Sequence, residues 1–175
     1  MIEYSSGLDN IWFVISPQNP LKKKSTLLAN HHRLYLAELA IGNDPDLEVS
    51  DIEFNLPIPS YTIDTLTYLE ERYPNNRFAL IMGADNLATL NKWKNYDLLL
   101  EKYEIYAYPR SGYSTDKIPV EKDLLNNAVI HHVDAPLMEI SSSFIRMSIK
   151  EGKNIRYFLP PKVYEYIREM HFYEK

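Results

Sequence analysis

Short runs of β-forming residues alternate with segments of helical periodicity along this chain, and few folds accommodate that order. The strand-like runs lie at 11–15, 48–55, 78–82, 104–108 and 129–133. The helical segments lie at 34–41 and 63–69, and two more begin near Ser142 and Pro161. This order predicts a single α/β domain over 1–175, doubly wound around a mostly parallel sheet, with run 78–82 as its most central strand.

Composition limits which binding partners and which cellular compartment we expect for this chain. The 175 residues carry a formal net charge of −5, which argues against a nucleic-acid or anionic-membrane surface and leaves room for a local phosphate site. The chain has no cysteine, hence no disulfide framework or thiolate zinc site. No apolar run is long enough to cross a membrane, and residues 1–4 lack a signal-peptide pattern, so we expect a cytoplasmic protein.

Doubly wound sheets bind ligands beyond the carboxyl ends of their strands. After run 11–15 comes a proline-containing loop that ends in three lysines, at 22, 23 and 24, which could meet phosphate or be solvated. The helix that follows opens with His31, His32 and Arg33. Cations are unfavourable at a helix start unless an anion neutralises them; the alternative is that these side chains are simply exposed.

Run 78–82 is followed by a second group of candidate ligand residues. Gly83 would let the backbone approach a ligand, and Asp85 is placed for ribose hydroxyls. Asp85 could instead cap a helix that runs through Leu87 and Leu90. Trp93 could stack on a planar heterocycle or belong to the core.

Two other segments offer contacts to anions. Thr62 lies in 59–65, where a helix begins with hydroxyls and free N–H groups, although an ordinary capped helix has the same pattern. Arg110, in the turn after run 104–108, could grip phosphate or form a surface ion pair.

The most specific pattern is a serine-rich helix start. Ser141, Ser142 and Ser143 place hydroxyls beside unpaired N–H groups, and Arg146 lies one turn further on the same face. An ordinary helix cap with an exposed arginine explains one serine well and three poorly. The pattern therefore predicts a triphosphate site.

Together and in this order, these residues resemble bacterial nicotinate mononucleotide adenylyltransferases, members of the nucleotidylyltransferase superfamily. The resemblance covers essentially the whole chain. It rests on Pro-Ser-Tyr-Thr-x-Asp-Thr from Pro59, on Gly83-Ala-Asp with Trp93, on the Arg110 turn, and on Ile140-Ser-Ser-Ser-x-Ile-Arg, which is similar to the ISSTxIR motif. It implies a Rossmann-like fold and adenylyl transfer from ATP to nicotinate mononucleotide, a step of NAD biosynthesis.

The resemblance also implies individual roles. The ATP phosphates would be held by Ser141, Ser142, Ser143 and Arg146, and the adenosine by Gly83 and Asp85. Thr62, Trp93 and Arg110 would form the acceptor pocket, and His32 and Arg33 match the family's His-Arg pair at the substrate site. Lys22, or Lys23 in its place, would be the catalytic lysine that acts beside Arg146. Mg²⁺ would be bound by the ATP phosphates and water, without a dedicated protein metal site, and a homo-oligomer is left open.

Two departures from the superfamily pattern matter. Lys94 follows the tryptophan where some relatives have an aromatic residue. A first strand, a glycine-rich turn and an HxGH motif are expected ahead of residues 1–4, and none of the five histidines has the x-Gly-His spacing. We therefore expect the sheet to lack its first strand and the chain as written to transfer adenylyl groups poorly, because imidazoles that stabilise the reacting phosphorus are absent.

Two other functional readings stay open at this point. One is another adenylyltransferase of the superfamily, of the pantetheine-phosphate or nicotinamide-mononucleotide type. The other is a catalytically silent nucleotide-binding protein.

Overall fold

The computed structural model describes residues 7–17, 27–113 and 122–174. Five short strands run through these ranges: β1 (Ile11–Val14), β2 (Leu47–Ser50), β3 (Leu80–Gly83), β4 (Ile105–Tyr108) and β5 (Ile130–His132). Every strand pair among them is parallel. The parallel sheet expected from the strand–helix alternation is therefore confirmed.

Within the described residues, seven α-helices connect and cover the strands. They are α1 (Asn30–Ile41), α2 (Thr62–Arg72), α3 (Ala84–Leu87), α4 (Tyr96–Lys102), α5 (Lys122–Asn127), α6 (Ser142–Lys150) and α7 (Pro161–Glu169). The helix starts predicted near Ser142 and Pro161 are confirmed. No helix in the described ranges combines the length and the hydropathy that crossing a membrane requires.

The strands form two hydrogen-bonded groups, of order β1-β2 and β3-β4-β5, and within the described ranges no ladder joins them. In the three-stranded group β4 lies in the middle and β3 lies at an end. The prediction that run 78–82 is the most central strand is therefore wrong for the part of the sheet that the structure describes. β4 is the most deeply buried strand, because Ile105, Tyr106 and Ala107 are all buried.

The predicted strand over 48–55 is too long. β2 ends at Ser50, and the chain continues as a 3-10 helix over Ile52–Asn55. Ile52 and Glu53 are adjacent and both buried, whereas extended backbone would point them to opposite faces. The change of backbone lets the Glu53 carboxylate turn inward.

The main core packs α2 and α4 against β3 and β4. Its buried members come from these four elements, from α3, and from the segments on either side of α4: Ile63, Leu66, Met82, Leu87, Leu90, Leu99, Leu100, Tyr103, Ile105 and Ala107. Burying a large aliphatic side chain stabilises a fold by roughly 1.5–3 kcal/mol. This core therefore holds the carboxyl ends of β3 and β4 in fixed positions.

Candidate nucleotide-binding site

Gly83 and Asp85 lie at the carboxyl end of β3, as predicted. The backbone of Gly83 caps α3, so Asp85 is a first-turn residue of a helix that ends at Leu87 and not the cap of a longer one. The Asp85 carboxylate oxygen lies 3.7 Å from Nε of Arg110, which follows the neighbouring strand β4. The carboxyl ends of β3 and β4 thus meet through an ion pair.

Neighbouring side chains approach Gly83 closely. A Cβ at this position would lie 2.4 Å from the Asp85 carboxylate, 3.0 Å from Cγ of Arg110 and 3.3 Å from the Tyr108 ring. Any side chain here would force the Asp85 carboxylate to shift, so packing favours glycine. Its backbone φ of −76° is ordinary, and conformational freedom is not the reason.

Thr62 is the first residue of α2, and the first backbone bond of the helix runs from the Thr65 N–H to the Tyr61 carbonyl. The N–H groups of the first turn therefore lack helical acceptors. The hydroxyls around Thr62 are already engaged, because Ser60 and Thr65 donate to the buried Glu53 carboxylate at 2.5 and 2.8 Å. The N–H groups, and not these hydroxyls, are what the start of α2 offers to a ligand.

The Glu53 carboxylate also links this helix start to the end of β1. The hydroxyl oxygens of Ser60 and Ser16 lie 3.3 Å apart, and Ser16 follows β1 at its carboxyl end. The side chains of Glu53, Ser60 and Thr65 are all buried. Buried polar groups that are fully hydrogen-bonded fix the geometry around them.

Trp93 is partly buried and packs against the main core. Its indole Nε1 is buried, and no described group accepts its hydrogen. The next residue, Lys94, reaches back to α2: its Nζ lies 2.8 Å from the Asp64 carboxylate and 4.6 Å from the centre of the Tyr61 ring. Trp93 and the start of α2 therefore lie side by side, as an acceptor pocket formed by Trp93 and Thr62 requires.

The serine motif forms the start of α6. The Ser141 hydroxyl caps the helix by accepting the N–H of Phe144 at 3.1 Å, and Ser142 and Ser143 are exposed residues of the first turn. The Arg146 guanidinium donates to the Ser143 hydroxyl at 3.1 Å. Arg146 and the Ser143 hydroxyl therefore lie on the same side of the helix start, as the sequence predicts for Arg146.

His32 and Arg33 lie on the first turns of α1 and have protein partners in the structure. Nδ1 of His32 is 2.8 Å from the Tyr166 hydroxyl on α7. Arg33 donates to the Leu28 and Pro17 carbonyls and to the Asn30 side chain. Burial lowers the pKa of Arg33 from its ordinary value, although the guanidinium stays charged at neutral pH.

Tyr173 lies within electrostatic range of two of the predicted site residues. Burial raises the pKa of its hydroxyl, while the positive charges of Arg146 and Arg33 act to lower it.

The candidate catalytic lysines, Lys22 and Lys23, lie outside the described residues. In the described ranges no group of three or more histidine, aspartate or glutamate side chains is arranged to hold a metal ion.

Comparison with known proteins places this arrangement in a family. The cytidylyltransferase-like family model matches residues 3–148. A protein of Flavobacterium johnsoniae named "Probable nicotinate-nucleotide adenylyltransferase" is 53% identical over the whole of this chain and 88% of its own length. The chain belongs to the nicotinate-nucleotide adenylyltransferase family. A family member of Bacteroides thetaiotaomicron with the same name is 45% identical over 97% of this chain and 80% of its own length.

Solved structures agree on the fold. A nicotinic acid mononucleotide adenylyltransferase of Plasmodium falciparum in complex with NaAD superposes with a TM-score of 0.74, covering 95% of this chain and 83% of its own at 21% identity. The complex of the same enzyme with APC gives a TM-score of 0.72 at 20% identity, with the same coverage. At such identity the likeness establishes the fold, and the predicted Rossmann-like α/β architecture of the adenylyltransferase family is confirmed.

The sequence patterns did not single out Glu53 and Tyr173. Glu53 is a carboxylate between two apolar neighbours, Ile52 and Phe54, which is a mild signal of a buried acid. Tyr173 lies near the end of the chain with a left-handed φ of 67°, and nothing in its neighbours predicts that position. The ligand roles of the predicted residues remain predictions.

Proposed function

We propose that this chain serves the reaction of its family, the transfer of an adenylyl group from ATP to nicotinate mononucleotide. The observation that carries the proposal is the 53% identity across all 175 residues with a relative of that name. The arrangement of the site supports it, because the serine-rich start of α6 would hold one substrate and Trp93, with the start of α2, would hold the other.

The reaction is a displacement at phosphorus. A phosphate oxygen of the mononucleotide attacks the α-phosphorus of ATP, a new P–O bond forms, and the bond from the α-phosphorus to the bridging oxygen of the β-phosphate breaks. Pyrophosphate leaves with the electron pair, and the product is the dinucleotide. Positioning and charge neutralisation supply most of the rate in such transfers.

In this proposal α6 holds the triphosphate. Arg146 and the hydroxyls of Ser142 and Ser143 would contact phosphate oxygens, and the free N–H groups of the first turn would add to them. Magnesium enters as part of the ATP substrate, because this ion prefers phosphate oxygens and water as ligands. Gly83 and Asp85 would contact the adenosine.

The acceptor would occupy the other end of the crevice. Trp93 would stack on the pyridine ring, and the N–H groups at the start of α2 near Thr62 would bind its carboxylate. Arg110 would meet the mononucleotide phosphate. Its ion pair with Asp85 would then lie where the two substrates approach each other.

Equilibrium binding tests the proposal most directly, since it depends on residues that the chain carries. Calorimetry with a non-hydrolysable ATP analogue plus Mg²⁺, and separately with nicotinate mononucleotide, should give saturable binding of both. Arg146→Ala should weaken binding of the ATP analogue about 30-fold, which corresponds to about 2 kcal/mol for a charge-assisted contact. It should change the affinity for the mononucleotide by less than about twofold.

The matched control is Arg156→Ala, which removes an exposed guanidinium outside the proposed site. It should leave both affinities unchanged. Pyrophosphate release with both substrates then measures turnover. If neither substrate binds, or if Arg146→Ala weakens both equally, the proposed division of the crevice is wrong.

A further inference from the structure

Lys94 and Asp64 form an ion pair at the mouth of the proposed acceptor pocket. The Lys94 ammonium lies 2.8 Å from the Asp64 carboxylate and 4.6 Å from the centre of the Tyr61 ring. Lys94 directly follows Trp93, and Asp64 is the third residue of α2, two residues after Thr62. One opposite-charge pair therefore joins the two segments that would hold the pyridine ring.

Both charges stay accessible to a ligand. The side chain of Lys94 is 41% exposed and that of Asp64 is 48% exposed. The first-turn N–H groups of α2, which would receive a ring carboxylate, belong to the same turn as Asp64. A carboxylate bound there would be repelled by the negative charge of Asp64. Within the pair, only the Lys94 ammonium offsets that repulsion.

We propose that the Asp64–Lys94 pair determines how strongly the site prefers an acidic pyridine ring over its amide. Lys94 neutralises Asp64 and favours a negatively charged ring substituent, whereas Asp64 opposes it. The inference rests on the proposed function, because it concerns the acceptor end of that site. The two partners have opposite effects on selectivity, although both hold the same contact.

Opposite effects distinguish this role from a purely structural clamp. A clamp that only fastens Trp93 to α2 would be lost equally when either partner is neutralised, and both mononucleotides would bind less tightly. A selectivity pair predicts changes of opposite sign in the ratio of nicotinate to nicotinamide mononucleotide affinity. The two ligands differ in the charge of one ring substituent, so the ratio isolates the electrostatic effect.

The experiment measures the dissociation constants of both mononucleotides for four variants. Lys94→Met keeps the apolar stem beside Tyr61, removes the charge, and should lower the preference for nicotinate about fivefold, the size expected for one partly exposed charge acting on another. Asp64→Asn should raise the preference about threefold. Lys94→Arg should retain it, and the double variant Asp64→Asn, Lys94→Met should return close to the original ratio.

Ionic strength gives a second readout. The Debye length is about 10 Å at 0.1 M salt and about 3 Å at 1 M, so the fivefold effect of Lys94→Met should shrink when salt is raised. The matched control is the exposed pair of Lys153 and Glu151, whose ammonium and carboxylate lie 2.6 Å apart at the end of α6. Lys153→Met and Glu151→Gln should leave the ratio unchanged.

The outcomes separate the inference from the function beneath it. If the parent chain binds neither mononucleotide, the proposed function fails. If it binds nicotinate mononucleotide and both neutralising variants change the ratio in the same direction or not at all, the function stands and the selectivity role is wrong. Thermal midpoints of all variants show whether a loss of affinity reflects unfolding.

Discussion

Arg110 and Asp85 form an ion pair of 3.7 Å between the carboxyl ends of two neighbouring parallel strands. Both side chains are about one-third exposed, at 33% and 36%. By the proposed roles, Asp85 serves the adenosine and Arg110 serves the mononucleotide. The pair therefore couples the two substrate positions directly, and each charge depends on the other for compensation.

This coupling is measurable with a double-mutant cycle. Asp85→Asn should weaken binding of the ATP analogue about tenfold, and Arg110→Met should weaken binding of nicotinate mononucleotide about tenfold. Each change removes one charge-assisted contact. The cycle is evaluated for one ligand at a time, with the parent, both single variants and the double variant. Because each single change also leaves a charge unpaired, the double variant should lose less affinity for that ligand than the two single variants together, with a coupling of about 0.5–1 kcal/mol. Strictly additive losses in calorimetry would show that the two positions act independently.

The buried Glu53 carboxylate should be important for stability. It accepts the hydroxyls of Ser60 and Thr65 and is 8% exposed. Glu53→Gln replaces one acceptor oxygen with an N–H donor, so the free energy of unfolding in urea should fall by about 1–3 kcal/mol. Glu48→Gln, on the exposed side of β2, should change it by less than about 0.5 kcal/mol. A loss at Glu53 no larger than at Glu48 would contradict the network.

Sequence periodicity predicted the strand–helix order well because buried runs such as 104–108 are short, apolar and bounded by polar turns. It failed where a polar side chain turned inward. The alternation of 48–55 reads as one strand, yet the hydrogen bonds of Glu53 favour a 3-10 turn after Ser50. Local pattern carries no information about those distant partners.

Sequence patterns likewise predicted some features of the candidate site and missed others. The serine motif was readable because cap, hydroxyls and Arg146 lie within six residues, and local geometry decides their arrangement. The contact of His32 with Tyr166 joins α1 to α7 across 134 positions. Such contacts depend on how helices pack, and no spacing rule within one segment predicts them.

Stability at acid pH should depend on Glu104. The hydrogen bond with His131 lowers the pKa of this carboxyl below its ordinary value. The positive charge of Arg77 also lowers this pKa, whereas burial acts in the opposite direction. A carboxyl whose pKa is lower in the folded state than in the unfolded state stabilises the fold at pH values above its unfolded pKa. This stabilisation is lost as the pH falls through the folded pKa. The free energy of unfolding should therefore decline below about pH 4.5 by less than about 1 kcal/mol on this account.

Glu104→Gln should remove that part of the decline. The difference in the free energy of unfolding between parent and variant should therefore narrow as pH falls from about 5 to 3. Urea unfolding at a series of pH values measures it. Glu101→Gln, at an exposed position of α4, provides the control for general carboxylate titration. A difference that stays constant with pH would mean that the His131 contact does not stabilise the ionised carboxylate.

Trp93 packs on the core and has a proposed role in stacking on the ligand, and a single substitution cannot separate the two. Its ring packs on the main core, while its Nε1–H is buried without an acceptor among the described residues. Truncating a fully buried tryptophan costs about 3–5 kcal/mol of stability. Stacking on a bound ring contributes roughly 1–3 kcal/mol of affinity, or about 5- to 150-fold in the dissociation constant.

Trp93→Ala and Trp93→Phe together distinguish these roles. Trp93→Ala should weaken nicotinate mononucleotide at least about fivefold and leave the ATP analogue nearly unchanged. Trp93→Phe keeps an aromatic face and removes the unpaired donor, whose burial costs about 1–3 kcal/mol, so its thermal midpoint should stay near that of the parent and it should retain most of the affinity. If both variants lower the midpoint strongly and weaken both ligands alike, Trp93 is a core residue, and recognition of the ring rests on the N–H groups at the start of α2.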